Sequence, residues 1–133
     1  MNQYPTFDQG LHYNDLHEDH KNWLTELEFC KKEIAFFQHS LEDFTRLSQN
    51  ASKGALIEQL QNKLIIHNEQ VDIMLHEIKL QQIKLDEFIK SHENNIEFMT
   101  FSDHKAWREK MDINRKLYNE MKQDFYHGIS QKN

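Results

Sequence analysis

Nine histidines stand among the 133 residues of this chain, and they are the side chains best suited to hold a metal ion or carry a proton near neutral pH. His17 and His20 fall in the run NDLHEDHKNW, three residues apart and beside Asp15, Glu18 and Asp19. His12 precedes that run, while His92 and His104 flank the stretch between two later helical segments. Imidazoles and carboxylates converging at the end of a helical bundle are the ligands of zinc, iron, copper or nickel sites. The candidate metal set is therefore His12, His17, His92 and His104, with Asp15, Glu93 and Asp103 close in sequence. On that reading the cofactor is a divalent transition metal. On the plainer reading these are polar residues at helix ends, and there is no cofactor.

Spacing argues against the familiar motifs. HEDH sets its histidines three apart, where the zinc-protease pattern H-E-x-x-H needs four to place both on one helix face. Ferritin-like bundles repeat Glu-x-x-His, and the nearest approach here is a single Asp124-Phe-Tyr-His127. The hemerythrin-like spacing, His followed four residues later by Glu or His, does not occur. There is no Gly-rich phosphate loop, and Cys30 falls on an apolar seam, where a thiol is buried and inert. The chain thus reads as non-catalytic.

The elements that would position these residues are helices. Three glycines, one proline and 29% charged residues leave little turn chemistry. Leu16, His20, Trp23, Leu27, Cys30, Ile34, Phe37 and Leu41 alternate steps of four and three, the heptad rhythm that keeps one seam facing a partner. The same rhythm runs through Ile57, Leu60, Leu64, His67, Val71, Met74 and Ile78, and again through His104, Trp107, Met111, Asn114, Tyr118, Met121 and Phe125. The spacing predicts helices over about 15–49, 54–93 and 103–127, the first capped by Asp15 and Glu18, the last stopped near Gly128. Short connections make an antiparallel up-down-up bundle of three helices, all-α, in one domain spanning 1–133, with residues 1–13 as an N-terminal arm.

Such a bundle assigns levels. Residues of the first two helices lie level when their numbers total about 103, and those of the last two when they total about 196. By that rule His20, Gln81 and Asn114 share one level, one from each helix, and form a buried polar layer that specifies register. The rule also aligns Phe29, Phe36, Ile66, Ile73 and Leu80, off the main seam, as an apolar stripe in the groove between helices one and two. An exposed stripe of that size marks an interface, so the chain reads as a homo-oligomer or as the receiver of a helical protein partner.

Charge and composition limit the remaining classes. With 16 basic and 22 acidic residues the net charge is -6, which disfavours nucleic acid. Nowhere do 18 apolar residues occur together, and the N-terminus lacks the basic and apolar runs of a signal peptide, so no membrane segment is predicted. A single cysteine fits a reducing, cytoplasmic setting.

Overall fold

One apolar line along each helical segment has to be buried against its neighbours, and a computed structural model, which describes residues 13–47, 53–91 and 101–130, shows how. Helix α1 spans Tyr13–Leu47, α2 Gly54–Ser91 and α3 Phe101–Ser130. No strand occurs among the described residues. Lys31 reaches Asp72, and His20 reaches Gln82, so α1 and α2 run antiparallel. Lys63 meets Asp124 and Glu77 meets Lys110, which makes α3 antiparallel to α2. The architecture is the three-helix bundle expected, with α1 packed mostly on α2.

The seam residues make the core. Leu27, Ile34, Phe37 and Leu41 of α1 are at most 1% exposed, and they meet Leu64, Val71 and Ile78 of α2 and Met111, Tyr118 and Phe125 of α3. Burying each such side chain contributes about 1.5–3 kcal/mol before the entropy of ordering it is counted. Leu16, Leu85 and Phe88 form a second, smaller cluster at the end where α1 begins. His20 and His104 lie between the two clusters, both 2% exposed.

Boundaries shift by a turn or less, each for a local reason. α1 starts two residues earlier than its expected cap, so Asp15 sits inside the first turn, where its charge still favours the helix dipole. Gly128 does not stop α3. It lies within the helix, where a Cβ would meet Leu60 Cδ1 at 3.1 Å and Leu56 Cδ1 at 3.3 Å, so the missing side chain lets α3 approach α2 closely. Of the expected arm, residues 1–12 lie outside the described residues, and Tyr13 opens α1.

Candidate functional site: an open seam beside a buried histidine layer

A polar layer does cross the core, with one expected member in place. His20 Nδ1 is 2.7 Å from Gln82 Oε1, and Gln82 Nε2 donates to Asp86 Oδ1 at 2.8 Å, which also accepts from the Tyr13 hydroxyl at 2.8 Å. From α3 the contributor is His104, whose Nε2 lies 2.7 Å from Asp19 Oδ2, while Arg108 holds the same oxygen at 3.1 Å. The two imidazoles are 6.2 Å apart and flank Trp23, at 5.8 Å for His20 and 5.2 Å for His104. Burial lowers the pKa of both, against the opposing pull of Gln82 on His20 and of Asp19 on His104. Both rings are therefore neutral near pH 7.

The layer expected from His20, Gln81 and Asn114 is corrected in two of its three members. On α2 the hydrogen-bonding neighbour is Gln82, one position on, because α1 packs on the flank of α2 that carries Gln82 and Asp72. On α3, Asn114 lies well below His20, because α3 is displaced by about nine residues from the expected level, as the pairs Lys63–Asp124 and Glu77–Lys110 show. A slip that carries one seam position onto another keeps the apolar line on the seam, as from Asn114 to His104, so apolar rhythm alone does not detect it.

Rows of opposite charge match the level that α3 takes. Asp19, Glu26 and Glu33 stand seven apart on α1, and Arg108, Arg115 and Lys122 stand seven apart on α3. They pair in order: Arg108 with Asp19, Arg115 with Glu26 through two bonds of 2.7 and 2.9 Å, and Lys122 with Glu33 at 3.2 Å. Tyr118 adds a hydroxyl bond of 2.6 Å to Glu33, and burial together with that acceptor pushes its pKa up. The α1/α3 seam is thus closed by polar contacts over five helical turns.

The five apolar residues expected in one groove fall on two sides of α3 instead. Phe29 and Phe36 share a ridge of α1 with Glu33, which reaches α3, so they flank the α1/α3 seam at 60% and 65% exposure. Ile66 lines a cleft with Ile113, Asn114 and Leu117 of α3, and Ile73 and Leu80 continue its line at seven-residue steps. The groove between α1 and α2 is of mixed lining, with Gln38, Glu42, Gln61 and Asn62 beside Leu41, Leu64 and Ile65 at one level and Lys21, Thr25, Glu28 and Gln82 beside Leu24 at another. Level arithmetic predicted heights along the bundle correctly for α1 and α2 but carried no information about which side of that pair the third helix takes.

The α2/α3 seam is bridged by Lys63–Asp124 and Lys110–Glu77 and also holds an apolar cleft. A cleft of about 350 Å³ runs between Ile66, His67, Gln70, Met74 and Glu77 on α2 and Trp107, Lys110, Ile113, Asn114 and Leu117 on α3. Ile66, Ile73, Leu80, Ile113 and Leu117 are 43–63% exposed along it. At its floor Asn114 is 5% exposed, and its Nδ2 has no hydrogen-bond partner among the described residues. His67, expected as a core histidine, is half-buried on the cleft wall with its ring edge on Tyr118 at 6.1 Å, and burial lowers its pKa.

The expected metal set is not assembled by the residues described. His12 and His92 lie outside them. His17 is exposed, stacks on Tyr13 at 5.6 Å and lines the α1/α2 groove, whereas His104 is buried against Asp19 on the α1/α3 side. Among the described residues no three His, Cys, Asp or Glu side chains are grouped so as to hold a metal ion. Cys30 is 5% exposed, and burial beside Glu26 and Glu33 pushes its thiol up to about 11. Comparison with protein-family models, with curated proteins and with solved structures finds no match for this chain.

Proposed function

We propose that the protein is a non-catalytic helical interaction module that associates with a second copy of itself through the α2/α3 face. The observation that carries this reading is the apolar cleft between α2 and α3, lined by Ile66, Ile113 and Leu117 and floored by a buried amide that has no acceptor among the described residues. An unpaired buried donor costs about 1–3 kcal/mol, a cost that an occupant bringing an acceptor would remove. Exposed apolar surface on this scale is a contact surface in soluble helical proteins. The rim of the cleft carries both signs, with Lys63, Lys110, Glu77 and Asp124, and so selects neither a strongly basic nor a strongly acidic partner. A surface made of helix ridges is itself a suitable occupant for such a cleft, and a second copy supplies one.

Light scattering over a concentration series tests this. The wild-type chain is expected to dimerise by high micromolar concentration, and Ile73→Glu to give a monomer with unchanged helical circular dichroism. Phe36→Glu, on the other side of α3, is expected to leave association intact. A wild type that stays monomeric throughout would rule the reading out.

A further inference from the structure

We infer that the α2/α3 cleft binds a small, uncharged, mostly apolar molecule whose carbonyl oxygen accepts a hydrogen bond from Asn114 Nδ2. The inference goes beyond the self-association proposed above and does not depend on it. Asn114 lines the cleft, is 5% exposed, and its Nδ2 is buried with no hydrogen-bond partner among the described residues. A buried donor in that state costs about 1–3 kcal/mol, and unpaired buried N–H groups are rarer in folded proteins than under-used carbonyls. An occupant with an acceptor removes that cost. The amide turns about its last side-chain bond between two broad wells, so an acceptor at the cleft floor reaches Nδ2 without backbone movement.

The lining defines the rest of the ligand. A cleft of about 350 Å³ is at the small end of ligand pockets, which run from about 300 to 1,000 Å³, and so takes one or two rings. Ile66, Met74, Trp107, Ile113 and Leu117 supply apolar walls from two neighbouring helices. Between such walls a flat body fits. The charged side chains of the lining are Glu77 and Lys110, which stand 3.9 Å apart, and the Lys110 ammonium lies 4.6 Å over the Trp107 ring. Their charges cancel. His67 adds none near neutral pH, because burial lowers its pKa. The cleft therefore favours an uncharged ligand, with Asn114 as the buried group that orients it.

Coumarin is the probe, two fused rings with one carbonyl, and naphthalene is the same shape without an acceptor. At low micromolar protein, coumarin is expected to bind one to one with a sub-millimolar Kd, to quench tryptophan fluorescence and to shift the side-chain amide resonances of Asn114. Asn114→Leu should leave naphthalene binding unchanged while weakening coumarin roughly five- to tenfold, the worth of one hydrogen bond. The variant should fold, because it replaces an unpaired buried amide with an apolar group, and urea unfolding checks that. No saturable coumarin binding, amide resonances that stay in place, or equal losses of coumarin and naphthalene in Asn114→Leu would each overturn the site. A wild type that takes coumarin yet stays monomeric in light scattering keeps the ligand site and removes self-association. A dimer that ignores coumarin does the reverse.

Discussion

His20 and His104 pack against each other and against Trp23 in a triangle of rings, and burial disfavours their charged forms, which makes the proton a destabilising ligand. In the unfolded chain each histidine titrates near ~6.5, while burial holds His20 and His104 lower in the folded state. His20 faces His104, Asp19 and His17; His104 faces Asp19, Arg108 and Asp15. Above the unfolded value both states bind no proton on these rings, and stability is fully present. As pH falls through ~6.5 the unfolded state takes up protons first, and stability declines until the folded rings also protonate. The pKa of His67 is lowered by burial as well, so for three such groups the steepest slope is roughly 4 kcal/mol per pH unit. Urea unfolding of the wild type between about pH 7.5 and 5 should show this fall, and His104→Gln should reduce it by roughly a third. A flat profile across that interval would mean that the rings accept protons in place.

At the scale of the element, the ladder of acids on α1 and bases on α3 is what the two polypeptide segments share beyond apolar rhythm. Arg115 and Glu26 make the best geometry of the three rungs, a two-bonded pair, with side chains 42% and 34% exposed. Solvent screening at that exposure limits the coupling to about 0.5–1 kcal/mol. A double-mutant cycle on Glu26→Gln and Arg115→Gln, read by urea denaturation, is expected to return a coupling in that range. Strict additivity would show that the rung only decorates the seam.

The same ladder explains what the sequence did and did not make legible. Each helix was readable from its 4-3 spacing, and the level of α2 against α1 from the turn between them, since His20 to Gln82 and Lys31 to Asp72 fall within a residue of the expected height. The level of α3 was not readable that way, because a slip that carries one seam position onto another, as from Asn114 to His104, leaves the apolar line on the seam. The signal that resolves it was present in the letters: Asp19, Glu26, Glu33 and Arg108, Arg115, Lys122 are two heptad rows of opposite charge, and only one register pairs all three. Matching those rows places His104, and not Asn114, beside His20, and turns α3 to the side of α1 that carries Phe29 and Phe36. The exposed apolar residues were recognised individually. Their grouping required knowing where α3 lies.

For the whole molecule, the three helices account for every described secondary-structure element, and no helix among the described residues is long and apolar enough to cross a membrane. The three helices are not equally held. α1 and α2 have the closest backbone packing, while α3 rests on the pair through Trp107, Met111, Tyr118 and Phe125 and through exposed charged rungs. Local opening follows the weakest seam, so α3 should detach as a cooperative unit at a lower free energy than the α1/α2 hairpin unfolds. Amide hydrogen exchange should then resolve two tiers of protection: slow exchange through the middle of α1 and α2, faster exchange along α3. If the proposed self-association holds, the rate in α3 should also fall as protein concentration rises, because a second copy on the α2/α3 face would bind only the closed form. Protection uniform across all three helices would show that they open only together.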